Sequence, residues 1–142
     1  MRAGLAVLWI VLPLLGCTRF NSPFLTQDRL IVAANSDNVV QIYQVSRTDG
    51  DLTLERSLSI TAPSRVAAHP TSGAFLVHRN STHLDCYRYN FRAGDTAPTL
   101  VSSTSTGALN TIKIPPDGGA VFYGKTGDAT LYSRTLSNCS LG

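Results

Sequence analysis

A repeat of 44 to 46 residues constrains this chain more than any other feature. The segments RLIVAANSDNVVQIYQV (29–45), GAFLVHRNSTHLDCYRY (73–89) and GAVFYGKTGDATLYSR (119–134) align with one another. The stretches ahead of the second and third copies agree as well, SRVAAHPTSGAF (64–75) paralleling NTIKIPPDGGAV (110–121). A fixed period of this size marks an array whose units bury their apolar faces only against neighbouring units. The fold must therefore be modular, with one supersecondary unit per repeat.

The unit is built of strands. Leu30 to Ala34, Ala74 to Val77 and Ala120 to Tyr123 are continuous apolar runs, the pattern of strands buried on both faces. Farther along the first repeat, Leu52, Leu54, Leu58 and Ile60 alternate with Thr53, Glu55, Ser57 and Ser59, the pattern of a strand with one wet face. Turn residues punctuate the strands at Asp49-Gly50, Pro70 to Gly73, Gly94-Asp95 and Pro116 to Gly119, where several residue types tolerate positive φ. Inner strands dry on both faces and outer strands half wet are what radially packed four-stranded antiparallel sheets require, so the expected class is all-β and the expected architecture a β-propeller. With strands lettered A (innermost) to D, the second repeat supplies A at 64–69, B at 74–79, C at 83–90 and D at 98–104. The first supplies B, C and D (29–35, 39–46, 52–60), and the third A, B and C (109–114, 120–125, 129–136). The blades then cover 29–60, 64–104 and 109–142, about two and a half to three in all, and Gly142 follows a C strand with no D strand after it.

The N-terminus has a different texture. Arg2 precedes an apolar stretch from Ala3 to Leu15 that ends at Gly16, the layout of a secretory signal. A bilayer span takes about 20 apolar residues, whereas Arg2 and Arg19 enclose 16, interrupted by Pro13. Leu14-Leu15-Gly16-Cys17 resembles the lipobox of bacterial lipoproteins. The resemblance implies that residues 1–16 are removed as a signal peptide and that Cys17 is diacylated, and two acyl chains anchor a protein stably. Thr18 stands where an inner-membrane retention signal would carry Asp, which points to a lipid-anchored outer-membrane address in the cell envelope. Residues 17–28, polar and containing Pro23, read as a tether. The alternatives are an ordinary cleaved signal with an incidental cysteine and an uncleaved membrane helix.

Of the three cysteines, Cys86 and Cys139 then remain as a pair in a compartment that permits disulfides. A bond between them would close a loop of about 54 residues, contributing about 4 kcal/mol in the chain-entropy model. Packing of Cys86 as a small hydrophobe is the other reading, and the sequence leaves both open. Without its first 16 residues the chain keeps 11 of 12 basic residues against 9 acidic ones, scattered rather than clustered, so nucleic acid is not an expected partner.

The run RLIVAANSDNVVQIYQVSRTDGDLTLERSLSI, followed by APSRVAAHPTSGAFLV, resembles the opening of the lactonase-type seven-bladed propellers, the group that includes 6-phosphogluconolactonase. The matching elements are a LIVAAN strand, a VVQIYQV strand, a DG turn into LTLERSLSI, and a proline-led inner strand ending in His-Pro-x-x-Gly. That family also begins at strand B. The likeness covers about 29–136 and implies a fold and, through it, lactone hydrolysis in the complete protein. Seven blades at about 45 residues would need over ~300 residues. An open blade face of about 350 Å² is worth about 9 kcal/mol of burial, comparable to a domain's net stability. The expectation is a fragment of a longer protein; a ring of several copies and a poorly folding product are the alternatives.

Because the strands run up and down, the D-to-A and B-to-C loops share one end of the array. That end collects Asn35, Asp37, Arg65, His78, Arg79, Asn80, His83, Asn110, Lys125 and Asp128, of which Arg65, His78, Asn80, His83 and Asn110 are the ligand-binding candidates. The resemblance implies a role for Pro63-Ser64-Arg65, since the family's inner strands open with proline and arginine. Arg65 would then hold an anionic sugar lactone or the oxyanion formed on its carbonyl. Val66 stands where a family variant has His, so no general base is expected at this repeat. His78 and His83 flank the turn from Arg79 to Thr82 and would meet across the hairpin, the only hint of a metal pair. With no carboxylate beside them, neither a metal nor any other cofactor is expected. His69-Pro70 reads as turn structure. No nucleophile elbow, zinc-type cysteine pair or phosphate-binding glycine loop is present. Catalytic residues are not identified, and a non-catalytic propeller that binds a protein or an envelope component is the rival to an enzyme. The expected partners are the membrane, through Cys17, and the remaining blades of a longer chain or further copies.

Overall fold

The computed structural model describes residues 28–90 and 97–142. The expected signal segment, Cys17, nearly all of the tether and the Gly94-Asp95 turn lie outside the described residues. Among those described, every regular element is a strand. The first sheet joins β1 (Asp28–Ala34), β2 (Val39–Val45) and β3 (Leu52–Ser59). The second joins β4 (Pro63–Ala68), β5 (Ala74–Arg79), β6 (His83–Arg88) and β7 (Thr99–Ser105). The third joins β8 (Leu109–Lys113), β9 (Ala120–Lys125), β10 (Leu131–Ser137) and β11 (Ser140–Leu141). All neighbours are antiparallel and follow chain order.

Two details differ from the sequence reading. The third sheet does have a fourth strand, the two-residue β11, paired through Leu136 with Leu141 and Ser137 with Ser140. It forms because Asn138 and Cys139 take up positive φ (50° and 67°) and reverse the chain in two residues, a geometry the αL-tolerant Asn favours. β1 also begins at Asp28, inside the expected tether.

The sheets pack face to face, and β5 shows why. Its burial is continuous from Ala74 to His78. Side chains alternate across a strand, so Phe75 and Val77 turn to the first sheet and join Val40, Ile42, Ile60 and Tyr89. Ala74 and Leu76 turn to the third sheet and join Leu84, Ile112, Val121, Tyr123 and Leu136. β5 thus has no solvent face, while the outermost strand of its sheet, β7, stays largely exposed. The innermost strands β4 and β8 lie beside each other, as do the outermost, β7 and β11. This is a radial stack of sheets, three neighbouring blades of a β-propeller.

Ion pairs flank the apolar strip between the first two sheets. Asp85, 0% exposed, is bound by Arg79 and by the hydroxyl of Ser103. Away from that pair, Glu55 accepts from Arg29 Nε (2.9 Å) and from the Tyr89 hydroxyl (2.9 Å). Burial pushes the Glu55 carboxyl up, but these bonds outweigh it and hold the group below 4.5.

A covalent link spans the second and third sheets. Cys86 on β6 and Cys139 in the β10–β11 turn form a disulfide with Cα atoms 5.6 Å apart. The outer faces differ in character. On the first sheet, Leu30, Tyr43 and Leu54 form one cross-strand row and Val45 and Leu52 another, with Leu30, Leu52 and Leu54 42–52% exposed. On the third, Phe122 and Leu131 are set among Lys113, Ser133 and Thr111.

Candidate functional site

The loop end that gathers the sequence-derived residues is a belt of hydrogen-bonded turns. Within the first sheet, Ile60 N donates to Asn38 O (2.9 Å). Within the second, Thr106 N donates to Thr82 O (2.9 Å). The inner ladders run on past their strands in the same way, Asn80 N donating to Ala62 O (3.1 Å) beyond β4–β5 and Thr126 N to Ala108 O (2.9 Å) beyond β8–β9. Asn38, Ala62, Asn80 and Ser81 all have φ between 46° and 53°, so sharp reversals hold this end together. Ala62 keeps its conformation with help from the Asn38 side chain, whose Oδ1 accepts from Ala62 N at 2.8 Å.

Arg65, His78 and Asn110 come together here. Arg65 pairs in register with His78 on β5. Its guanidinium donates from Nε to Asn110 O (3.0 Å) and from Nη1 to Ser64 O (2.7 Å). Asn110 is itself engaged, its amide donating to Lys125 O (3.3 Å) while its oxygen accepts from the Thr126 hydroxyl (2.9 Å). Lys125 places its ammonium 4.5 Å from the centre of the Tyr132 ring, and Asp128 binds the Tyr132 hydroxyl.

His78 is 1% exposed, and both ring nitrogens are bonded. Nε2 lies 2.9 Å from Gly107 O, and Nδ1 lies 2.8 Å from Ser64 Oγ. A carbonyl oxygen only accepts, so Nε2 carries the proton and Nδ1 accepts from the serine hydroxyl. Burial lowers the imidazole below its ordinary 6.5; the Gly107 carbonyl opposes this, and the charges of Arg65 and His83 add to it. The ring is neutral at pH 7.

The other two candidates stand apart. His83 pairs with Arg79, whereas His78 pairs with Leu84, so the two histidines point to opposite faces of the sheet and cannot share a metal. The expected meeting across the hairpin fails because the turn holds three residues, Asn80 to Thr82, and not four. His83 Nδ1 bonds the Thr82 hydroxyl (2.7 Å). The Asn80 amide closes the turn, its nitrogen donating to Thr61 O (3.2 Å) and its oxygen accepting from Arg79 Nη1 (3.2 Å). Among the described residues no group of three His, Cys, Asp or Glu side chains could hold a metal ion. At the opposite end, His69 Nδ1 accepts from Thr71 N (3.2 Å) and Ser72 N (3.1 Å), a turn role. Sequence reasoning placed Ser64 only as a neighbour of Arg65, with no contact of its own, and missed Gly107, since a lone serine and a loop carbonyl carry no pattern. A register argument, Arg65 opposite His78, is what would have raised them.

No family model matches the sequence, and no curated protein matches it. Solved structures do. A protein from Lactobacillus plantarum superposes with a TM-score of 0.67 at 19% identity, over 82% of this chain and 38% of that one. A Bacteroides uniformis protein provisionally designated a 6-phosphogluconolactonase gives 0.64 at 10% identity, over 80% of this chain and 36% of its own. A β-propeller domain from Myceliophteria thermophila gives 0.53 at 16% identity, over 82% and 40%. At these identities the likeness is one of fold, a partial β-propeller. The chain spans 36–40% of the length of these structures.

Proposed function

We propose that this chain is the lipid-anchored, extracytoplasmic portion of a lactonase-type β-propeller, and that the belt of turns around Arg65 and His78 receives a small lactone or a related anionic ligand. The carrying observation is that Arg65, His78 and Asn110 converge at one end of the inner strands in a fold shared with a protein provisionally designated a 6-phosphogluconolactonase. A fixed cation there would bind an anionic ring and stabilise an oxyanion on its carbonyl. The anchor rests on Leu14 to Cys17, and the disulfide between Cys86 and Cys139 fits an oxidising compartment. The remaining blades come from a longer chain or from further copies. The test is acid release from a panel of lactones by the protein and by Arg65→Ala: turnover lost in the variant supports the reading, and no turnover with any lactone refutes it. For the anchor, Cys17→Ala should move the protein from the membrane fraction to the soluble one; unchanged partitioning refutes lipidation.

A second reading, a non-catalytic module that binds a protein or envelope component, is favoured by the polar groups of the loop belt. Asn110, Asn80 and His83 already spend their side chains on neighbouring turns, as a scaffold would. Retained partner capture by a protein that turns over no lactone would favour it.

A further inference from the structure

We propose that Ser64, His78 and the Gly107 carbonyl form a nucleophilic serine site that opens a carboxylic ester or lactone through an acyl-serine. This rests on the reading of the loop belt as a lactone site, and gives that site a covalent route through residues this chain itself carries.

Three observations carry it. First, Gly107 O can only accept, so Nε2 of the neutral ring carries the proton and the lone pair on Nδ1 faces the Ser64 hydroxyl at 2.8 Å, the shorter of that hydroxyl's two contacts, the other being His78 O at 3.3 Å. That is the nucleophile, base and orienting group in series, with a backbone carbonyl as the third member. Second, Ser64 lies where the β4–β5 register shifts between Pro63 and Arg65, and such irregularities re-aim a side chain out of the ladder. It is half-buried where His78 is fully buried, so the hydroxyl rather than the ring is the group a ligand can meet. Third, the Arg65 guanidinium is pinned beside Ser64 by two carbonyls, which sets a positive charge next to the place where an oxyanion would develop.

The step balances without any further reactant. Ser64 Oγ attacks the carbonyl carbon while its proton passes to His78 Nδ1, and the imidazolium so formed keeps its Nε2 proton on Gly107 O. The C–O bond of the ester breaks, and the leaving alkoxide takes the proton from Nδ1. Water then attacks the acyl-serine, giving its proton to Nδ1; Ser64 leaves with that proton and the carboxylic acid is released.

The test is labelling of the full chain with a fluorophosphonate, read by peptide mass spectrometry. One adduct per chain is expected, on Ser64. His78→Gln can still donate to Gly107 O but takes up no proton, and should slow labelling at least ~100-fold. The labelling rate should be flat near neutral pH and fall below 6.5 as His78 protonates; Arg65 and His83 are the charged and titratable groups acting on it. Ser64→Cys preserves the side chain's size and should be alkylated by iodoacetamide faster than a free thiol at pH 6. An adduct spread over several serines, no adduct on Ser64, or a wild-type rate in His78→Gln overturns the proposal. Lactone turnover undiminished in Ser64→Ala would remove the nucleophile and leave the proposed function standing. A Ser64 adduct on a protein that hydrolyses no lactone would remove that function and leave the nucleophile.

Discussion

Replacing both bridging cysteines tests how the third sheet is held to the second. Cys86 and Cys139 are 53 residues apart. In the chain-entropy model a closed loop of that size removes about 14 cal/mol/K from the unfolded chain, or about 4 kcal/mol at 25 °C. Both residues are buried, at 0% and 3% exposure, so Cys86→Ala/Cys139→Ala is the clean perturbation; serine would add a buried hydroxyl lacking a partner. With a urea m-value of about 2 kcal/mol/M, the loss corresponds to a midpoint lower by about 2 M. The assay is equilibrium urea unfolding followed by far-UV circular dichroism, on the oxidised protein and the double variant. Thiol titration of the unfolded, unreduced protein with Ellman's reagent should find neither of these sulfurs free. Equal midpoints at equal m, or two titratable thiols at 86 and 139, would refute the reasoning.

Other expectations follow from contacts of comparable definition. Gly118 has φ 72°, and a Cβ there would sit 2.3 Å from His69 Cε1 and Nε2, so Gly118→Ala should cost about 1 kcal/mol or more by urea unfolding. Part of that cost should return in Gly118→Ala/His69→Ala, and an unchanged midpoint in the single variant would count against the contact. Arg79→Ala strands the buried Asp85 carboxylate and should cost about 3–5 kcal/mol, whereas Arg79→Met/Asp85→Leu should cost far less; equal losses would contradict the ion-pair argument. Stability should fall in two stages on acidification. His78 has a folded pKa below 6.5, so its contribution is present above 6.5 and is lost as pH falls through the lower folded value. Glu55, held below 4.5, loses its contribution in the same sense at lower pH. Urea midpoints against pH should show the upper stage vanish in His78→Gln and the lower one in Glu55→Gln.

The strands were legible because burial leaves a period. The unbroken apolar run at Ala74 to Val77 announced a strand dry on both faces, and the structure buries it on both. The alternation in residues 52–60 announced an outer strand, and β3 is one. Parity was not legible. A hairpin turn of three residues in place of four shifts the pairing by one, and a shift of one turns a side chain to the other face; this separates His83 from His78. The disulfide was equally open, since Cys139 lies in a turn made by two positive-φ residues, and nothing in the repeat fixes how far that turn reaches toward β6. Ser64 and Gly107 meet His78 through a register shift and a loop carbonyl, features that belong to backbone geometry and leave no mark on residue type.

Strand β5 has a mechanical consequence. Its odd-numbered side chains are wedged into one neighbour and its even-numbered ones into the other, so any shift of its backbone is transmitted to both flanks at once. A flaw introduced at Phe75 would therefore loosen the grip on the far side as well, and the three sheets should come apart together, in one transition rather than leaf by leaf.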